Sequence, residues 1–199
     1  MDFPLRILGY LLQNVRIGEA KLAINRQAFK NLPDVVDISS PNFQHNSTIP
    51  TDCTLYGENK SPAMSIKLKK QDAGEKEVKS FVLLIQDSDI PITQPATHLF
   101  AYGISPHNAD FVLGELNEKS TTNKFKLGKG LLGYQGYFGP RPLPSHGTHK
   151  YHFQVFGLNE TATQKLNEFS GIPSWGTMLE IIEGNVVGTG ILLGVRKTE

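Results

Sequence analysis

The sequence is short of the residues that anchor several common functional classes. It has one cysteine, Cys53, so an internal disulfide and a thiolate metal cluster are both excluded. A lone thiol fits a reducing compartment, although a small buried side chain accounts for it as well. No apolar run approaches the roughly 18–20 residues that span a bilayer. Asp2, Arg6 and Arg16 leave too short an apolar stretch for a secretory signal, so the expected location is the cytosol. An excess of one charge is also missing: 20 Lys and Arg against 19 Asp and Glu give a formal net charge of +1. A nucleic-acid reader needs a concentrated basic surface, and that class is set aside. The cluster Lys67, Lys69, Lys70 is soon followed by Asp72 and Glu75 and reads as a solvated turn. The chain has no Gly-x-Ser-x-Gly elbow, no phosphate loop with its Lys and no His-Glu-x-x-His.

What is present is an ordinary globular composition over 199 residues, long enough for one domain, 1–199, with a full core. Residues 1–30 read as a helical leader. Leu5, Leu8, Leu12 and Val15 recur at helical spacing with Leu11 beside them, while Arg6, Gln13, Asn14 and Arg16 lie off the stripe. That helix is expected to dock on the body of the protein, a membrane surface being the alternative. From Val35 onward the pattern changes to short apolar runs at 35–39, 63–68, 81–86, 98–104, 151–158 and 186–195. Several are rich in β-branched or aromatic residues, and Gly, Pro and Asn punctuate the gaps, as strands require. Thr161 with Gln164 and Thr177 with Glu180 have capping-box spacing, and the second helix should stop at Gly184. Residues 117–130 read as a long polar surface loop.

Three segments place ionisable groups beside residues that stiffen the chain. Asp87 and Asp89 follow the strand at 81–86, and at i and i+2 on an extended chain they point to the same side. Two carboxylates so close raise each other's pKa unless donors surround them. They suit gripping a hydroxyl or amine, or proton transfer, though an Asp-rich turn is more often only a turn. His98 opens a strand whose alternate positions carry Phe100 and Tyr102; a lone His there is more often structural than ligand-binding. The third segment, 136–151, packs glycines and prolines around Tyr137, Gly139, Pro140 and Arg141 and then enters a strand. Its N–H groups are placed to cradle an anion as a backbone nest. Alternation puts His149, Tyr151, Phe153 and Val155 on one face and Lys150, His152 and Gln154 on the other. His146 and His149 with Asp87 lack a recognisable zinc spacing, and no metal or other cofactor is expected.

Taken in order, these segments resemble the phosphatidylethanolamine-binding protein family. Asp87-Ser88-Asp89-Ile90-Pro91 is similar to its Asp-Pro-Asp-x-Pro signature, and His98 to the pocket His a few residues later. Gly139-Pro140-Arg141-Pro142 through Gly147-Thr148-His149-Lys150-Tyr151 is similar to its Gly-Pro-x-Pro…Gly-x-His-Arg-Tyr stretch. Gly57-Glu58-Asn59-Lys60-Ser61-Pro62-Ala63-Met64 and Glu183-Gly184-Asn185-Val186-Val187-Gly188 resemble blocks of its bacterial and fungal branches, and the leader resembles filamentous-fungal members. Ser88, Lys150, Ile66 and Leu99 depart from the usual Pro, Arg, Trp and aromatic. The resemblance implies a mostly β fold, a central antiparallel sheet packed on a smaller one with peripheral N- and C-terminal helices. It implies a cis bond before Pro91. It also implies a shallow surface pocket lined by Asp87, Asp89, His98, Gly139, Pro140, His149 and Tyr151, with Tyr137 and Arg141 beside it. The implied partner is a small anion, a phosphate head group or carboxylate, with a regulatory protein partner also open. The alternative is acid–base chemistry with Asp87 or His149 as base. Some fungal members are associated with secondary-metabolite pathways that join maleic-anhydride units.

Overall fold

A computed structural model describes residues 3–69, 77–117 and 123–198. Helix α1 (Phe3–Leu12) leads into two 3-10 turns, Glu19–Lys21 and Ala23–Asn25. Strands β1 (Val36–Ser39), β2 (Ser47–Thr48), β3 (Met64–Leu68), β4 (Ser80–Asp87), β5 (Ala96–Ile104), β6 (Asp110–Phe111), β7 (Lys126–Leu127) and β8 (Thr148–Leu158) follow. Helices α2 (Glu160–Glu168) and α3 (Trp175–Ile182) precede the last strand, β9 (Val186–Lys197). The six longer strands lie where the apolar runs predict them. The two-residue strands β2, β6 and β7 have no sequence signature, being shorter than one full alternation. Strand β7 lies inside the stretch read as a loop, of which 118–122 fall outside the described residues.

The strands form a six-stranded sheet, β2-β9-β8-β4-β5-β7, and a three-stranded sheet, β1-β3-β6. All pairs are antiparallel except β2 with β9. Strand β4 sits between β8 and β5 and is buried along its whole length, which is why its sequence runs apolar without alternating. Phe81, Leu83 and Ile85 on one side of β4 join Phe153 and Val155 of β8 and Ile38 and Ile66 of the small sheet in one core. On the other side, Val82 and Leu84 pack with Phe156, Leu166, Met178 and Ile182 beneath α2 and α3. The larger sheet therefore has one face under the small sheet and the other under the C-terminal helices.

Three local expectations are corrected. The N-caps are Asn159 and Ser174, whose side chains accept from the Ala162 and Thr177 amides, so both helices begin ahead of the Thr161 and Thr177 boxes. Helix α3 ends as expected, with Gly184 just beyond it at φ +76°. No described peptide bond is cis, so the bond before Pro91 is trans. Helix α1 docks through Gly9, its one buried residue, while Leu5, Leu8 and Val15 of the predicted stripe stay partly exposed. A Cβ on Gly9 would lie 1.9 Å from the Pro144 carbonyl oxygen, so the absence of a side chain is what lets the helix sit this close.

Candidate functional site

The site forms where β4 ends against β8. Asp87 pairs directly with Tyr151, and His149 projects from the same face two residues earlier. His98 arrives by a different route. Ile85 pairs with Leu99 but Gln86 pairs with Thr97, so His98 is an extra residue, a β-bulge, in β5. Plain alternation would put its ring with Phe100 and Tyr102. The bulge instead turns it toward Asp87, with its edge against the Tyr151 ring at 5.1 Å between centroids.

A hydrogen-bonded row runs through the site. Asp87 Oδ2 accepts from His149 Nδ1 at 2.7 Å, and His149 Nε2 lies 2.7 Å from His146 Nδ1. Asp87, His98, His146, His149 and Tyr151 are all buried. Burial alone pushes the Asp87 carboxyl up, but the bond from His149 and the nearby imidazoles outweigh it and hold the group below its ordinary value. Burial depresses His98, more than Asp87 raises it. His98 Nδ1 faces the Phe138 carbonyl, which only accepts, so Nδ1 carries the proton and Nε2 is the lone pair left for a ligand. The Tyr151 phenol is pushed well above its usual value by burial and then by Asp87, so it stays protonated beside that carboxylate. His146 is depressed by burial and by its neighbours His149 and Arg16; the carbonyls of Leu12 and Val15 act the other way. Its Nε2 is buried without a hydrogen bond.

The remaining candidates have other work. Asp89 turns away from Asp87: its N–H donates to Asp87 Oδ1, while its own carboxylate accepts from Arg16 at 2.6 Å and the Lys150 amide at 2.7 Å. The predicted like-charge pair is thus two carboxylates with separate donors. Tyr137 pins the loop, donating to the Cys53 carbonyl at 2.7 Å. The Gly139 N–H goes to Asn59 Oδ1 at 2.8 Å, and Pro140 has none, so neither offers a free donor to the expected backbone nest. Arg141 is exposed and lines a separate cavity of about 300 Å³ with Leu5, Tyr56 and Pro142. A larger cavity, about 970 Å³, opens at the β7 edge between Tyr102, Phe125, Tyr134 and Phe169, away from the Asp87 row. Where a shallow surface notch was expected, the side chains lie buried behind His146 and the N-terminal segment. Sequence reading missed Arg16, 73 residues from its partner Asp89, and saw His146 only as a zinc candidate.

This arrangement, a bulged His, a strand-end Asp and a His-x-Tyr pair on neighbouring strands, gathers buried ionisable side chains at one end of a two-sheet fold. The family model for phosphatidylethanolamine-binding protein matches residues 39–197, and the chain belongs to that family. It is 28% identical to a UPF0098 protein of Aquifex aeolicus over 89% of this chain and 98% of the relative. It is also 28% identical to phomoidride biosynthesis cluster protein B of a fungal species, over 92% of this chain and 89% of that one. Among solved structures, a putative phosphatidylethanolamine-binding protein homologue from Chlamydia trachomatis superposes with a TM-score of 0.67 at 22% identity, covering 83% of this chain and 99% of that one. No described helix is long and apolar enough to cross a membrane.

Proposed function

We propose that this protein binds a small carboxylate- or phosphate-bearing molecule among Asp87, His98, His149 and Tyr151, and takes up a proton with it. One observation carries the reading: the imidazoles of His149 and His98 face an ionised carboxylate and His146 backs His149, while the neighbouring guanidinium, Arg16, is committed to Asp89. In its resting state the site is therefore rich in acceptors. An anion is welcome there only when an imidazole gains a proton and becomes a donor. Affinity should accordingly rise as pH falls toward the ordinary His value. Titration calorimetry with inorganic phosphate and with maleate, in two buffers of different ionisation enthalpy near pH 7, tests this. The expected result is saturable binding with about one proton taken up per ligand. Binding without proton uptake, or no saturable heat, rejects it.

A second reading, acid–base chemistry, is favoured by the Asp87–His149–His146 row itself. Asp87 fixes the His149 tautomer, and burial excludes water, the conditions under which an imidazole serves as a general base. The similarity to a phomoidride cluster protein directs the test to maleic-type acids and anhydrides. The assay is deuterium incorporation from D₂O at the acidic C–H of methylmaleate, with His149→Asn as control. Exchange above background that the variant loses supports chemistry, and none leaves a binding module. A cytosolic setting accords with Cys53, whose thiol burial pushes up to about 11.

A further inference from the structure

The Asp87 site is buried behind His146, and what lies over His146 is the N-terminal segment. We infer that residues 3–17 are a lid over this site, with Gly18 as its hinge and Arg16 as the latch that holds it shut. The inference rests on the reading of the site as one that admits a small molecule.

The latch is a guanidinium with three acceptors. Arg16 Nη1 donates to Asp89 Oδ1 at 2.6 Å and to the Thr148 carbonyl at 2.9 Å, and Nη2 donates to the His146 carbonyl at 2.8 Å. Those acceptors bracket the loop that leads into β8 and belong to both sides of the site. The His146 ring completes the seam, since the Leu12 and Val15 carbonyls of the lid face it. Apart from this end, the helix is thinly packed: Gly9, which rests on Pro144 and His146, is its one buried residue, Phe3, Tyr10 and Leu11 are 75%, 63% and 69% exposed, and Leu5, Ile7 and Leu8 are only partly covered at 39%, 47% and 43%.

The chain beyond Gly18 is held quite differently. The Gly18 N–H donates to the Ser88 carbonyl at 2.9 Å, the Ala23 N–H to Gln86 at 2.9 Å and the Ile24 N–H to Gln154 at 2.8 Å. Leu22 and Ala23 are buried. Mobile and fixed chain therefore meet at Gly18. It sits at φ +82° with nothing within 4 Å of where a Cβ would stand, so it has both the conformational range and the room of a hinge.

The test reads access to the site without any assumed ligand. Diethyl pyrocarbonate acylates a neutral imidazole it can reach, and peptide mass spectrometry reports each His separately. His45 and His107 are exposed and serve as references. His152 is buried on the opposite face of β8 and bonds Ser88 beside the fixed strap, so it reports loosening of the whole fold. Two full-length variants open the lid by different means: Arg16→Gln removes the latch, and Gly9→Leu wedges α1 off Pro144 while sparing Arg16. In both, His146 and His149 should react about tenfold faster, the loss expected for charge-assisted hydrogen bonds of this kind, with His45, His107 and His152 unchanged. Unchanged rates at His146 and His149 in both variants, or acceleration of His152 in step with them, would overturn the lid. Phosphate calorimetry on the same variants separates the two readings. If phosphate fails to bind while the acylation pattern holds, the lid stands and the anion reading falls.

Discussion

Strands β4 and β8 carry buried polar residues on both faces of the central sheet, and the two sets are used in opposite ways. Toward the helices and the strap lie Gln86, Ser88, His152 and Gln154. Gln86 Oε1 accepts from both the Ala23 N–H and the Gln154 amide, Gln154 Oε1 accepts from Ile24, and Ser88 lies 3.1 Å from His152. Their bonding is spent on holding chain to chain. Toward the small sheet lie Asp87, His149 and Tyr151 with His98, and here capacity is left over: His146 Nε2 is buried without a hydrogen bond, and His98 spends only its Nδ1, on the Phe138 carbonyl. Burial of polar groups alone does not mark a functional site, because a satisfied network is simply a joint. Capacity left unspent in a buried place is the more telling sign.

The largest expected effect breaks the joint. Gln86→Leu removes the acceptor for two buried donors, and each orphaned group costs about 1–3 kcal/mol. Urea unfolding should therefore show a loss of about 3–5 kcal/mol, with the proton-coupled binding of the surviving folded protein intact. If binding fails as well, the two faces are not separable. On the other face, Asp87→Asn keeps the shape but removes the charge that faces the imidazoles. Phosphate affinity should fall by about 2 kcal/mol, roughly thirtyfold, with a much smaller change in stability than Gln86→Leu gives. A variant that binds normally would dismiss Asp87 from the site.

Acid should act on both faces, in a direction the titrating groups fix. His98, His146 and His152 are each depressed, chiefly by burial. The unfolded chain then binds more protons than the folded one just below the ordinary His value of about 6.5, so stability is full above that pH and declines as pH falls through it. Asp87, also depressed, adds a further loss only below its ordinary value of 3.8. Saturating phosphate sharpens the contrast. It should flatten the decline that belongs to the site, because the bound state takes up a proton, and leave the share from His152. Thermal melts from pH 7.5 to 5, with and without phosphate and with His152→Gln as comparison, measure this. A decline that phosphate leaves untouched would argue against protonation on binding.

The sequence made the two faces legible only where strand periodicity held. His149 and Tyr151 fall together because β8 alternates without interruption from Thr148 to Gly157. The runs that build both cores were visible for the same reason, since β-branched and aromatic residues pack well on a pleated, buried surface. Periodicity alone would set His98 with Phe100 and Tyr102, because one extra residue in β5 inverts the alternation and no local residue announces it; only the family resemblance grouped it with Asp87. Arg16 and His146 were out of reach for a different reason. Their roles arise from tertiary contact between the leader and an irregular loop, where no period exists to be read. The helix starts were misplaced because Asn159 and Ser174 compete with Thr161 and Thr177 as caps, and all four are residue types that cap.

The smallest effect concerns the boundary between lid and strap. Lys150 stands where the family stretch has Arg, and it acts through two separate groups. Its amide donates to Asp89 Oδ2 at 2.7 Å, a bond that any non-proline residue there would keep. Its ammonium reaches Glu19 Oε1 at 2.6 Å, just past the Gly18 hinge, with the two side chains 46% and 50% exposed. That hydrogen bond is the main cause raising the Lys150 pKa and lowering that of Glu19, yet water screens a pair this exposed. Lys150→Met should cost about 0.5 kcal/mol or less, diminishing further in high salt. It should leave acylation of His146 and His149 at the wild-type rate, because Glu19 belongs to chain that is already fixed to Ser88, Gln86 and Gln154. If those rates rise instead, the ion pair is part of the latch, and the hinge lies further along the chain than Gly18.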